Sequence, residues 1–197
     1  PKTGVFALYD LIGIDLMSDV LKSFKKELPN NDDFQKVTEN IPIIQKLIET
    51  GYTGRKGKGG FYRINKSSGK KVLEALNIIE NKYLPAKKID LKINKINLLE
   101  LINRDDKYGK YAWSVISKII LYSSSLVPQI TKDYNDIDEA LRLGFNWTMG
   151  PFEMLDTIGL DNFFMKISNL INNPFLKNLK DKNIVKFYDE RQKYTDI

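Results

Sequence analysis

The residues here whose types suit chemistry are carboxylates and cations, because the 197-residue chain contains no histidine and no cysteine. Asp10 and Asp156 each sit two residues ahead of an Ile-Gly pair, and Asp15 and Asp161 follow two residues after that glycine. A carboxylate in such a place can act as a general base only if its pKa is strongly tuned and a partner relays the proton. No partner is evident, so a structural role is the expectation for Asp10 and Asp156, and helix capping for Asp15 and Asp161. The densest cationic group is Arg55, Lys56 and Lys58, set among Gly54, Gly57, Gly59 and Gly60. Cations and free backbone N–H groups suit a phosphate, whereas the same cations can pair with carboxylates and lock helical domains together. Without histidine, the side chain that titrates near neutrality, Ser-His-Asp hydrolysis and histidine-based dehydrogenation are closed to this chain alone. The loop matches neither the Gly-x-Gly-x-x-Gly fingerprint nor a P-loop ending in Lys-Ser/Thr. Neither NAD binding nor a metal site nor turnover is expected of the isolated chain.

Charge narrows the partners further. The formal net charge is +6, but 31 basic residues face 25 acidic ones and both are spread along the sequence. A nucleic-acid binder concentrates its charge and interleaves aromatics, so no nucleic-acid partner is expected. No apolar run approaches the roughly 20 residues that span a bilayer, and no leader is evident. The expectation is a cytoplasmic protein, and Pro1 in place of an initiator methionine reads as a chain cut from a longer one.

The elements that position these residues come from an internal repeat. Residues 4–15 read GVFALYDLIGID and residues 150–161 read GPFEMLDTIGLD, with Gly, Phe, Asp, Ile, Gly and Asp shared in order and spacing. Pro151 suits the first turn of a helix, where its missing N–H is not needed. Phe6 and Tyr9, like Phe152 and Leu155, stand three apart on one helical face. Gly13 and Gly159 then end that helix, and apolar runs follow each. Each copy predicts helix, glycine turn, helix.

Between and beyond the copies the pattern is mostly helical. Residues 14–24 continue as an amphipathic helix, residues 34–40 are helical, and Pro42 opens a segment with Ile44, Leu47 and Ile48 in a stripe. Residues 61–64 make a short strand, and residues 72–79 read as either helix or strand. The polar, lysine-rich stretch 66–96 reads as linker. Helices follow at 98–102, at 111–123 with Val115, Ile119 and Tyr122 stacked, at 137–143 capped by Asn135 or Asp136, and after Pro174. The predicted class is all-α, with a partial first helical domain at 1–65, the linker at 66–96 and a second helical domain at 97–197.

These motifs resemble the C-terminal helical domains of the 3-hydroxyacyl-CoA dehydrogenase family, present in tandem. The resemblance is carried by Gly150-Pro151-Phe152 through Asp156, Gly159 and Asp161, and by Gly4, Phe6, Asp10, Gly13 and Asp15 with Val5 in the proline position. Gly54-Arg55-Lys56 with Gly60-Phe61-Tyr62, and Ile137-Asp138-Glu139-Ala140 before Gly144-Phe145-Asn146-Trp147, add to it. The second copy keeps only Phe187-Tyr188 of the Gly-Arg-Lys close, and the first has no counterpart of the long helix ahead of the second.

The resemblance implies two helical domains of the 6-phosphogluconate-dehydrogenase C-terminal kind, the first truncated at its N-terminus, packed as a pseudo-twofold pair. It implies a part in NAD-dependent oxidation of 3-hydroxyacyl-CoA in fatty-acid β-oxidation. NAD and the catalytic histidine would belong to a nucleotide-binding domain of the full-length enzyme. Phe6, Arg55, Lys56 and Lys58 are the residues expected to line the acyl-CoA substrate, and a homo-oligomer or partner subunit would cover exposed apolar surface. The competing expectation is a non-catalytic helical interaction or oligomerisation module.

Overall fold

A computed structural model describes residues 3–37, 41–67, 69–87, 97–167, 173–182 and 186–188. The chain divides into two compact units, Lys2–Ile89 and Asp90–Ile197. Each contains one copy of the repeat.

In the first unit, α1 (Val5–Ile12) runs into α2 (Ile14–Glu27) through Gly13, whose φ of 116° is open to glycine and strained for other residues. Ile14 is fully buried and sits with Ile44, Leu47 and Phe61 in a small core, packed by Tyr9, Ile43, Ile48, Tyr52 and Leu76. The helices α3 (Phe34–Val37) and α4 (Pro42–Glu49) follow, the latter with Pro42 in its first turn as expected. Residues 38–40 of the expected helix at 34–40 lie outside the described residues. Three strands complete the unit: β1 (Tyr62–Asn65), β2 (Val72–Asn77) and β3 (Lys82–Pro85), an antiparallel meander in that order.

This sheet corrects two expectations. The fold is mostly helical rather than all-α, and residues 82–85 of the expected linker form a strand, while the strand expected at 61–64 and the strand alternative at 72–79 are present as β1 and β2. The physical reason is an inverted strand pattern. On β2 the buried residue is Glu74, whose carboxylate accepts from Arg63 Nε at 2.7 Å and Asn65 Nδ2 at 2.9 Å, while Leu73 is exposed. These two hydrogen bonds, Asn65 first, hold the Glu74 carboxyl below its usual range. The Arg63 guanidinium also lies 3.9 Å from the centre of the Tyr83 ring on β3, and Tyr83 Oη donates to the Gly60 carbonyl. A polar cross-strand network thus does what an apolar face usually does.

The second unit is helical: α5 (Leu98–Asn103), α6 (Lys107–Ser125), α7 (Tyr134–Phe145), α8 (Pro151–Ile158), α9 (Leu160–Ile167) and α10 (Pro174–Asp181). Local chemistry sets the boundaries. Asn97 and Glu100 form a reciprocal capping box on α5, Asp106 accepts from Tyr108 N and Gly109 N on α6, and Asn173 caps α10. The cap of α7 is Asp133, two residues before Asn135 and three before Asp136, both of which lie inside the first turn. Ile102, Ile120, Leu155, Ile158, Leu160 and Phe163 form the centre of the core. The buried face of α6 runs through Gly109, Ser117, Ile120 and Ser124 rather than through Val115, which is exposed. A β-carbon at Gly109 would strike the Arg104 backbone, so glycine there lets the end of α5 turn closely onto α6.

Candidate functional site

In the first unit the site is built around Asp10, in the last turn of α1. Its carboxylate accepts from Phe61 N at 2.8 Å and Tyr62 N at 2.7 Å, tying α1 to the start of β1. Its carbonyl accepts from Arg55 N at 2.8 Å, so the glycine loop wraps the same turn. A β-carbon at Gly60 would collide with the Asp10 carboxylate, and one at Gly54 would fall 2.5 Å from the Asp10 carbonyl oxygen. These glycines therefore serve close packing around an aspartate. Burial pushes the Asp10 pKa up, while the two N–H donors and the nearby Arg55 charge oppose it.

The four residues expected to line substrate all belong to this unit. The Phe6 ring lies on Phe61, with centres 4.5 Å apart, and is 47% exposed. Arg55, Lys56 and Lys58 are exposed on the loop. Lys56 Nζ pairs with Asp15 at 2.9 Å, and Lys58 Nζ donates to the Thr50 carbonyl at 3.4 Å. Asp15 is not the N-cap of α2, since Gly13 holds that place; it is a first-turn acid. Its pair with Lys56, more than its own helix, holds its carboxyl below the usual range. Asp161 likewise stands in the first turn of α9.

The second unit repeats the arrangement. Asp156 on α8 accepts from Phe187 N at 2.7 Å and Tyr188 N at 2.9 Å. The Asp-to-Phe-Tyr clamp is thus common to both copies, although the second copy has no glycine loop. A further carboxylate escaped the sequence reading except as part of a resemblance. Asp138 on α7 is fully buried and accepts from Phe152 N, Glu153 N and Tyr188 Oη, each at 2.9 Å. It caps α8 from a neighbouring helix, 12 residues upstream of Gly150, where a β-carbon would meet it. Burial pushes the Asp138 pKa up to about 6, against the pull of its three donors. Burial and the facing carboxylate push the Tyr188 hydroxyl well above its ordinary value. The Phe152 ring is enclosed by Tyr134, Phe175 and Phe187 at 5.5 to 5.7 Å.

In this arrangement the buried carboxylates hold backbone segments together. Asp10, Asp138 and Asp156 already accept two or three hydrogen bonds each. Among the described residues no group of three or more His, Cys, Asp or Glu is placed to hold a metal, and no helix is long and apolar enough to cross a membrane. The loop also does not fit NAD. Gly54 and Gly60 back onto Asp10 and Gly59 onto Arg63, which leaves no glycine-lined cradle for a pyrophosphate.

The fold and the clamp together define a helical domain built on a repeated Gly-x-Phe-x-x-x-Asp unit closed by Phe-Tyr. A model of the family described as 3-hydroxyacyl-CoA dehydrogenase, C-terminal domain, matches residues 1–64 and 113–191, and the chain belongs to that family. It is 40% identical over 98% of its length to a Rickettsia prowazekii (strain Madrid E) protein provisionally named a fatty acid oxidation complex trifunctional enzyme. It is 31% identical over 95% of its length to a Bacillus subtilis (strain 168) protein provisionally named a 3-hydroxyacyl-CoA dehydrogenase. The chain spans 27% and 24% of those two relatives, about a quarter of each.

Proposed function

We propose that this chain is the helical, substrate-side part of a longer NAD-dependent 3-hydroxyacyl-CoA dehydrogenase of fatty-acid β-oxidation. Proton and hydride transfer take place on another part of that protein. The observation that carries this reading is the family match over both copies of the repeat; the absence of histidine from the chain agrees with it. In this reading Phe6 meets the acyl end of the substrate and Arg55, Lys56 and Lys58 face its phosphates. Their exposure beside one clamp supports this, since anion recognition needs unburied cations next to apolar surface. The two copies pair about a pseudo-twofold axis, a geometry that a tandem repeat favours because linkage raises the effective concentration of each copy near the other. A cytoplasmic location goes with the same reading.

The test is NAD-dependent oxidation of 3-hydroxybutyryl-CoA by the full-length protein and by this chain alone. Turnover by the full-length protein only is expected. Replacing Arg55 and Lys56 together by Ala there raises KM several-fold and leaves kcat near its original value, the mark of lost uniform binding. Turnover by the isolated chain, or an unchanged KM, overturns the assignment.

A further inference from the structure

The family match ends at residue 64 and resumes at 113, so it covers neither β2 nor β3. Yet this hairpin grips both ends of the glycine loop. At the exit, Tyr83 Oη on β3 donates to the Gly60 carbonyl. At the entry, Arg63 Nη1 donates to the Tyr52 hydroxyl at 3.2 Å, and the Tyr52 and Tyr83 rings lie 5.4 Å apart. Arg63 is itself fixed by the hairpin, since its Nε donates to Glu74 at 2.7 Å and its guanidinium lies on the Tyr83 ring. The side chains of the Glu74–Arg63 pair are only 11% and 29% exposed. Desolvation offsets much of the attraction in such a pair, so its main effect is on where Arg63 points.

The loop needs that support. Four of its residues, Gly54, Gly57, Gly59 and Gly60, are of the type with the most backbone freedom to lose. Within it, Gly54 N donates to the Gly59 carbonyl, Gly57 N to Gly54 and Lys58 N to Gly51. A β-carbon at Gly59 would fall 2.5 Å from the Arg63 Cβ, so the loop rests directly on Arg63. The Asp10 carbonyl holds Arg55 N at 2.8 Å from the side of α1. Arg55, Lys56 and Lys58 thus stand on a backbone clamped between a helix and the hairpin. A loop ordered before binding has less freedom to lose when a ligand arrives, so affinity depends on the groups that hold it.

We propose that Tyr83 and Glu74 are positioning residues for this loop and set affinity for the acyl-CoA through the backbone they hold, without touching the substrate. This rests on the reading that the loop cations face the phosphates of the substrate. Tyr83 acts on Gly60 directly, and Glu74 acts through Arg63 on Tyr52 and Gly59.

The experiment uses the full-length protein with two substrates, 3-hydroxybutyryl-CoA and 3-hydroxybutyryl-pantetheine, which has no phosphates. Tyr83→Phe keeps the ring under Arg63 and loses only the bond to Gly60. It raises KM for the CoA ester about 3- to 10-fold, the scale of one lost hydrogen bond, with kcat near its original value and KM for the pantetheine ester unchanged. Glu74→Ala has the same effect, and Glu74→Gln, which can still accept from Arg63, restores most of the loss. In a protein with Arg55, Lys56 and Lys58 all replaced by Ala, Tyr83→Phe adds nothing further. Ile44→Val, a thinning of the first unit's core, lowers the melting temperature and moves neither KM, which separates positioning from stability. Amide exchange in Tyr83→Phe rises at Gly57 and Lys58 and stays as it was at Phe61 and Tyr62, which Asp10 holds. Unchanged exchange at Gly57 and Lys58 overturns the positioning role, as does an equal rise of KM for both esters. Removal of the three cations without effect on KM for the CoA ester sinks the substrate reading instead, and with it the tie of the hairpin to acyl-CoA affinity.

Discussion

Asp138 sets two forces against each other, and Asp138→Asn separates them. Burial favours the neutral carboxyl, whereas Phe152 N, Glu153 N and Tyr188 Oη favour the anion. With a folded pKa of about 6 against an ordinary 3.8, the fold keeps a proton that the unfolded chain releases between those values. Stability from this group is then present in full below the ordinary value and falls as pH rises toward 6. At 1.36 kcal/mol per unit the loss sums to about 3 kcal/mol by pH 7. Asparagine does not titrate, so it escapes that loss. It presents an NH2 group to one backbone N–H, which leaves a buried donor unpaired at a cost of about 1–3 kcal/mol. The variant is therefore less stable than the parent near pH 4, and the deficit closes or reverses by pH 7. Urea unfolding followed by tryptophan fluorescence reads this unit alone, because both tryptophans, Trp113 and Trp147, lie in Asp90–Ile197. A carboxyl carbon titration by NMR gives the midpoint directly. A deficit that stays constant or grows toward pH 7, with a midpoint below 4, would refute the reasoning and show that the three donors outweigh burial.

Three further outcomes test the clamps and the loop. Asp10→Ala and Asp156→Ala each strip the acceptor from two backbone N–H groups, and each should cost about 2–4 kcal/mol, with exchange at Phe61 and Tyr62 or at Phe187 and Tyr188 as the local readout. Gly60→Ala drives a methyl group into the Asp10 carboxylate and should destabilise the first unit by about 2 kcal/mol or more, while Gly4→Ala, facing open space, should change it by less than about 1 kcal/mol; chemical denaturation of both ranks them. Lys56→Ala breaks an exposed pair with Asp15, and should barely move the melting temperature at low salt and not at all in molar salt, which leaves any change in substrate affinity attributable to lost contact.

The sequence pattern made some features plain and concealed others for identifiable reasons. Gly13, Gly159, Pro42 and Pro174 mark helix ends through their own backbone preferences, so those boundaries were readable. The repeat exposed Asp10 and Asp156 as a matched pair, but not what they hold, because Phe61-Tyr62 and Phe187-Tyr188 lie 51 and 31 residues downstream of them. The first strand was readable, but the second reads as either helix or strand because its inward residue is Glu74, satisfied by Arg63 and Asn65, which breaks the usual apolar alternation. The third falls in the stretch that reads as linker. Asp138 was hidden in another way. Within its own helix it reads as one more acid, and only tertiary packing brings it to the start of α8. Asp15 and Asp161 invited a capping role from their place after a glycine, but that glycine itself takes the N-cap position of α2, and Asp161 falls inside the first turn of α9.

Comparing the copies separates what the motif requires from what each copy does with it. Both close an aspartate onto Phe-Tyr backbone N–H groups, one through a glycine loop and a sheet, the other past the helix α10. Both closing segments carry a helix begun after the glycine and a helix opened by proline, α2 and α4 in one and α9 and α10 in the other. The clamp and these helices are therefore the constant, and the glycine loop belongs to the first copy. The aromatic four residues before the aspartate then diverges: Phe6 is half exposed on Phe61, in the unit that carries the basic loop, and Phe152 is sealed among three other rings at 0% exposure. A sealed phenylalanine can only stabilise its core, whereas an exposed one can meet the apolar part of a ligand. If one copy contacts substrate, the physical asymmetry assigns that work to the first and scaffolding to the second. Replacing Phe6 by Ala in the full-length protein should then raise KM for the acyl-CoA with little loss of stability, while Phe152→Ala should cost about 3–5 kcal/mol in folding of the second unit. The reverse pattern in steady-state kinetics and denaturation would assign the two copies the other way round.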